Sequence, residues 1–166
     1  YPESYYDKPL TKTLFAQLNF DIADNGDFYV SFEADSLMYR YDLDYNQLVC
    51  FGFAGRDMDL NYLRWDSYDQ PWKERLAERM SRGFYNAVEY VDETGLLFRS
   101  YRKGGGSVTD GLQVYRDGVL VGDVDVPLGF RMAGYVAPYY YSYVVPDEEG
   151  ERLYMFRFKW PSAPEE

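Results

Sequence analysis

The sequence predicts an all-β protein built from about three four-stranded antiparallel propeller blades, with one short helical insertion. Three observations carry that prediction. An acidic turn ending in glycine occurs three times, at Asp24-Asn25-Gly26, Asp92-Glu93-Thr94-Gly95 and Asp147-Glu148-Glu149-Gly150. Each turn is followed by a strand rich in aromatic residues, beginning near Phe28, Leu97 and Leu153. Of the 166 residues, 19 are Tyr and 11 are Phe, and such broad side chains suit a pleated surface.

The first unit spans residues 18–55. Leu18 to Ile22 alternates apolar and polar side chains, and Asn25-Gly26 is a strong hairpin dipeptide. Phe28, Val30 and Phe32 then share one face, as do Leu37, Tyr39, Tyr41 and Leu43 after the turn at Asp35-Ser36. The run from Gln47 to Ala54 is nearly all apolar and predicts a strand buried on both faces, with Cys50 as a small buried hydrophobe.

Residues 56–84 interrupt the pattern. Asp69 is a candidate N-cap, Pro71 fits the first helical turn, and Gly83 fits the C-terminal stop. Trp72, Leu76 and Met80 form one apolar stripe at helical spacing, expected to dock on the sheets. Arg75, Arg79 and Arg82 lie elsewhere on the cylinder and are expected to face solvent.

The second unit covers residues 86–126, with strands at Ala87–Val91, Leu96–Arg102, Leu112–Arg116 and Val119–Val126. Gly104-Gly105-Gly106 reads as a flexible connector, and Asp117-Gly118 as a second hairpin turn. The third unit covers residues 130–160 and predicts three strands, Phe130–Ala137, Tyr139–Val145 and Arg152–Trp160, again apolar on both faces. The segment 1–17 precedes the array, and its first fifteen residues are a candidate for the missing fourth strand. A polar tail, 161–166, follows.

Gly26 and Gly95 lie 69 residues apart, and Gly95 and Gly150 lie 55 apart. Removing the insertion of about 25 residues brings the first spacing to about 44, and a period of roughly 40–50 with four strands per unit is the mark of propeller blades. The competing architecture is a β-sandwich, which also shows regularly spaced short strands.

Composition narrows the function. A formal charge of −11 repels a phosphate backbone and argues against nucleic acid as a partner. The absence of His removes the commonest general base and zinc ligand and excludes a Cys-His pair, and a single Cys excludes an intrachain disulfide. No apolar run approaches the ~20 residues of a membrane span. The chain opens on Tyr1-Pro2 with neither Met nor signal peptide, as expected of a processed chain or a piece of a longer one.

Candidate chemistry is sparse. Asp57, Asp59, Asp66 and Asp69 crowd one loop, and a glycosidase needs two carboxylates at a set separation, but acidic surface loops are ordinary at this charge. Asp21-x-Ala23-x-Asn25-Gly26 and Asp42-x-Asp44-x-Asn46 lack parts of a calcium loop and read as turns. The glycine triplet lacks a following Lys-Ser/Thr and is no P-loop; no serine sits in a Gly-x-Ser-x-Gly turn. No catalytic residue, metal site or cofactor is therefore assigned. Asp123 and Asp125 share a strand face and are expected to meet Arg or Lys from a neighbour. Two constellations suit ligand binding: Tyr139, Tyr140 and Tyr141 as flat rings, and Arg99, Tyr101 and Arg102 as hydrogen-bond donors. The same side chains also suit blade core, with Arg99 a buried partner for an acid.

The blocks Phe20-Asp21-Ile22-Ala23-Asp24-Asn25-Gly26-Asp27-Phe28-Tyr29-Val30 and Leu37-Met38-Tyr39-Arg40-Tyr41-Asp42, with Phe51-Gly52 after them, resemble NHL-type and TolB-like blades. The run from Asp92 to Gly104 and the run Asp123-Val124-Asp125-Val126-Pro127 resemble six-bladed propeller lipoproteins of bacterial cell envelopes. The resemblance covers the chain from about Leu18 onward. It implies a periplasmic or cell-surface, lipid-anchored protein. The expected function is a non-enzymatic module binding protein, peptide or glycan. The alternatives are a carbohydrate-active hydrolase or lyase using loop carboxylates, and a structural scaffold. Six blades need about twice this length. The expectation is a C-terminal propeller half, completed by the missing half or by a second copy.

Overall fold

A computed structural model describes residues 5, 14–63, 69–147 and 150–161. Among the described residues the fold is all-β with one short helix between the sheets. The first sheet is an antiparallel meander of β1 (Leu18–Ile22), β2 (Phe28–Phe32), β3 (Met38–Tyr41) and β4 (Gln47–Phe51). The second is a longer meander of β5 (Phe84–Val91), β6 (Leu96–Arg102), β7 (Thr109–Arg116) and β8 (Val119–Pro127). Between them stands α1 (Trp72–Ser81). The third unit comprises β9 (Met132–Val136), β10 (Tyr139–Ser142), β11 (Val145–Asp147), β12 (Arg152–Tyr154) and β13 (Arg157–Phe158).

The first strands of the three units adjoin. β1 and β2 lie against β5, and β5 and β6 lie against β9. The sheets therefore follow one another face to face with their leading strands side by side, as propeller blades do. No barrel closes.

The third unit differs from the expected three strands. Its sheet has the order β13-β10-β9, while β11 and β12 peel away as a separate two-stranded ribbon. A register shift between Tyr141 and Ser142 starts the break, and the Ser142 hydroxyl holds it by accepting the Phe156 N–H at 2.9 Å. The two long predicted strands each split at that point.

Two-sided burial is real but sits elsewhere than predicted. It belongs to β6 and β7, the middle of the second sheet, where Leu96–Tyr101 and Asp110–Tyr115 are buried throughout. β4 is instead an exposed edge, with Leu48, Val49 and Phe53 in solvent, and Cys50 is an exposed free thiol. Its apolar run is read correctly as a strand, but only a neighbour on each side would bury it. β12 is likewise exposed along its length.

Toward the third unit, β6 and β7 present Leu96, Phe98, Leu112 and Val114, which pack with Phe130, Met132 and Tyr140. Each such side chain contributes roughly 1.5–3 kcal/mol of transfer free energy. Toward the first unit, Leu97, Tyr115 and Val88 meet Tyr29, Met38 and Ala23. This second interface also contains a charge. The Arg99 guanidinium is wholly buried and donates to the Ser31 hydroxyl at 2.8 Å. It also donates to the carbonyls of Ser36 at 2.7 Å, Asp35 at 2.5 Å and Leu37 at 3.3 Å. Its other face lies 3.2 Å from the Tyr85 ring centroid. Burial pushes its pKa below the ordinary arginine value. Among the described residues no carboxylate pairs with it directly: carbonyl dipoles and a ring face take that place.

The helix docks by its charged face, the reverse of the expectation. Trp72, Leu76 and Met80 point to solvent, and the buried residue is Glu78. Glu78 accepts the Leu63 N–H at 2.7 Å and Arg82 Nε at 2.9 Å, while Arg82 also donates to Asp59 at 2.8 Å. Arg79 donates to Glu33 at 2.5 Å and to the Leu14 carbonyl, and lies over Phe84. Glu33, buried on the loop after β2, and the half-buried Asp59 select the arginine face. The helix begins at Trp72, and Pro71 occupies the N-cap without a side-chain cap, so Asp69 is not the cap. Gly83 is a contact glycine, since a Cβ there would lie 2.5 Å from Met58.

The glycine triplet is an ordered left-handed turn. Gly104, Gly105 and Gly106 all have positive φ, and the Gly105 N–H donates to the Ser81 carbonyl at 2.6 Å. Tyr5, Leu14 and Phe15 pack beside the first sheet and α1, with Tyr5 donating to the Phe15 carbonyl at 2.8 Å. These described residues of the N-terminal segment supply no strand to the third unit.

Two substitutions test this packing. Arg99→Met strands the Asp35–Leu37 carbonyls, at about 1–3 kcal/mol for each unsatisfied group. Urea unfolding is expected to show a loss of at least ~3 kcal/mol, and a loss below ~1 kcal/mol would contradict the role given to Arg99. Gly111→Ala places a Cβ 1.9 Å from Tyr101 Cζ. It is expected to cost about 1–3 kcal/mol or more, relieved in the double variant with Tyr101→Ala.

Candidate binding cleft

A cleft lies between the first two sheets, at the end where the acidic turns cluster. Its volume is about 370 Å³, within the roughly 300–1,000 Å³ usual for ligand sites. Three turns frame it: the β1–β2 turn with Asp24 and Asn25, the β5–β6 turn with Asp92 and Gly95, and the β7–β8 turn with Asp117 and Gly118. Asp117 and Gly118 both have positive φ, as a two-residue primed hairpin requires.

These turns are held by their own polar groups. Asn25 accepts the Asp27 N–H at 3.0 Å and donates to the Asp27 carboxylate at 3.0 Å. Asp24 N–H donates to Asp92 Oδ1 at 3.0 Å, which ties the two acidic turns across the cleft mouth. Asp21 Oδ2 accepts the Tyr90 N–H at 2.6 Å and joins β1 to β5 below it. The second suspected calcium loop is also a turn: Asp42 accepts backbone N–H groups of Asp44 at 2.9 Å and Asn46 at 2.8 Å. Among the described residues no three His, Cys, Asp or Glu side chains group as a metal site.

The floor is aromatic. Tyr29 and Tyr90 stack with centroids 4.6 Å apart and an interplanar angle of 21°. Tyr115 and Phe51 meet edge to face beside them, 5.5 Å apart. Burial, then the Tyr90 neighbour, pushes the Tyr29 hydroxyl up to about 12, so it remains a donor across the physiological range. Among the described residues Arg40 is the one cation of the lining. Asp27 accepts its Nε at 2.8 Å and fixes it over the Tyr29 ring, and this hydrogen bond raises its pKa. The cleft thus offers flat rings, a fixed guanidinium and an acidic rim.

The residues singled out from sequence do not converge on one site. Arg99 and Tyr101 are enclosed between the first two sheets, where Tyr101 donates to Asp123 at 2.6 Å. Arg102 lies beside α1, over Phe84. Tyr140 is core, stacked on Phe158 at 5.4 Å. Tyr139 lies under Arg157 and Lys159 on the outward face of the third sheet, and Tyr141 shares that face. Asp125 accepts Lys103 at 2.6 Å and Arg56 at 2.6 Å, and Asp123 accepts the Arg56 N–H, so this acidic pair is structural. In the acidic loop, Asp59 is held low by the Asn61 N–H and by Arg82, Asp57 lies near Arg56 and Lys103, and Asp66 is outside the described residues.

One residue that the sequence did not flag stands out. Glu89, on β5, is pushed up to about 7 by burial and then by the neighbouring Asp21. Its carboxylate faces Gly134 of β9 in a shallow groove along the three leading strands, where Asn86 Oδ1 is buried without a partner. A single acid in an apolar strand, between Val88 and Tyr90, is the only sequence signal for it.

No protein-family model matches this chain, and neither does any curated protein or solved structure. Among the described residues no helix is long and apolar enough to cross a membrane.

Glu89 gives a pH dependence with a definite sign. Its folded-state value lies above the ordinary ~4.3, so the folded state holds a proton that the unfolded chain has released. Its stabilising contribution is full below about pH 4.3 and is lost as pH rises through about 7. Denaturant titrations at pH 5 and pH 8 are expected to show lower stability at the higher pH, a difference that shrinks in Glu89→Gln.

Proposed function

We propose that this chain is a non-enzymatic binding module made of propeller blades, and that it takes a glycan in the cleft between its first two sheets. The observation that carries this is the Tyr29–Tyr90 stack beneath the fixed Arg40 guanidinium, within a rim of turn carboxylates. Flat rings suit the apolar face of a sugar, and the surrounding donors and acceptors suit its hydroxyls. The resemblance to envelope propellers supports a periplasmic or cell-surface setting and a ring completed by further blades.

A hydrolase or lyase has one observation in its favour, the raised Glu89 beside Asp21. A pair of carboxylates at suitable separation would be its machinery. Against it, both Asp21 oxygens are engaged, one by the Ile22 N–H at 2.9 Å and the other by Tyr90.

Glycan-array screening followed by calorimetry tests the proposal. Tyr90→Ala and Arg40→Gln are each expected to weaken binding about tenfold, ~1.4 kcal/mol, while Glu89→Gln leaves it unchanged. Binding of peptides alone would replace the glycan, turnover lost in Glu89→Gln would favour the enzyme, and no binding at all would leave a scaffold.

A further inference from the structure

We propose that the outward face of the first sheet is an interface for a second copy of this chain, whose third sheet seats on it, so that two copies close one ring. This rests on the propeller reading of the fold and is independent of what the cleft binds.

The outward face is apolar across two strands. Leu18, Phe20 and Ile22 on β1 are 48, 57 and 48% exposed. Phe32, Val30 and Phe28, their cross-strand partners on β2, continue the same face, with Tyr5 edge-on against Phe32 at one end of it. The opposite face of this sheet is already covered by the second sheet. A contiguous apolar sheet face in a chain of charge −11 is an interaction surface rather than ordinary exposure.

The kind of partner follows from the two interfaces already built. The forward face of the first sheet meets the second sheet, and the forward face of the second meets the third. β1, β5 and β9 adjoin in series, so the next member of the series would place its sheet on the outward face of the first. The forward face of the third sheet is the unused surface of that kind. It carries Tyr139 and Tyr141, paired across the sheet with Val136, Gly134 and Arg157.

Charge matches as well. Arg157 and Lys159 flank the Tyr139 ring at 4.8 and 5.1 Å, a local basic patch in an acidic protein. The first sheet ends in the acidic turns Asp24 and Asp42–Asp44. At the existing first interface the forward-face cation Arg40, held by Asp27 of its own sheet, likewise faces a cleft rimmed by the turn residues Asp92 and Asp117 of the following sheet. Two chains with three principal sheets each give about six blades, inside the usual range of four to eight. The contact is head-to-tail, and it closes only if both copies engage both faces.

Light scattering on the full 166-residue chain tests this, with an expected mass of twice 19.5 kDa. Phe20→Asp, at an exposed position, and the double change Arg157→Glu with Lys159→Glu are each expected to weaken the dimer at least tenfold, while circular dichroism stays that of the native fold. Mixing the two variants restores a weaker dimer, because one intact interface remains between unlike chains. A monodisperse monomer would overturn the proposal. So would a dimer indifferent to Arg157 and Lys159, or an assembly larger than two chains. Glycan affinity of the Phe20→Asp monomer reports on the cleft alone, so loss of the ring and loss of binding are separable.

Discussion

The packing of the first two sheets depends on where one guanidinium finds its hydrogen bonds. Arg99 is carried into the interface by β6, a strand with no solvent on either side. Removing its charge from water is costly unless its N–H groups are met. They are met by the loop after β2, whose carbonyls at Asp35, Ser36 and Leu37 converge on it. That loop is shaped by Asp35, whose carboxylate accepts the Leu37 N–H at 3.0 Å and the Tyr39 hydroxyl at 2.8 Å. Arg99, Asp35 and Tyr85 therefore fix the distance and the register between sheets that share no strand-to-strand ladder.

The abundance of tyrosine follows from the same geometry. Blade interfaces taper, and a long side chain with a polar tip fills the wide part while its hydroxyl satisfies backbone groups at the edge. Tyr85 donates to the Phe53 carbonyl at 3.0 Å and accepts the Gly55 N–H at 3.1 Å; Tyr115 donates to Gln113 at 2.9 Å. Glycine appears where such a ring needs room. Gly111 lies against Tyr101 and Gly122 against Trp160, each too close for a Cβ. Large ring and absent side chain are two halves of one contact.

Strands, turns and blade order were legible because they are local: alternation, turn dipeptides and a helical stretch are written within a few residues. What was not legible depends on neighbours. β4 and β6 are both apolar runs, yet one is an edge and the other is core, and only the sheet order distinguishes them. The stripe Trp72, Leu76, Met80 has the right spacing for docking, but the surface below α1 is carboxylate-bearing and recruits Arg79 and Arg82 instead. The candidate site residues are dispersed for a related reason. Arg99, Tyr101 and Tyr140 have the chemistry of ligand contacts, and the interior uses that chemistry for itself. The cleft residues Tyr29, Arg40 and Tyr90 sit on three different strands, so no stretch of sequence displays them together.

The charge of the cleft limits what can enter it. Arg40 is already paired with Asp27, and the rim adds Asp24, Asp92 and Asp117. An anionic ligand would meet several carboxylates for one guanidinium whose charge is largely neutralised. The same balance that repels a phosphate backbone from the whole chain thus operates locally, at the mouth of the cleft. The acidic turns act on selection through their field, while their backbone contacts hold the cleft open. Asp42 and Asn25 direct oxygens to N–H groups of their own turns, which is what keeps those turns closed.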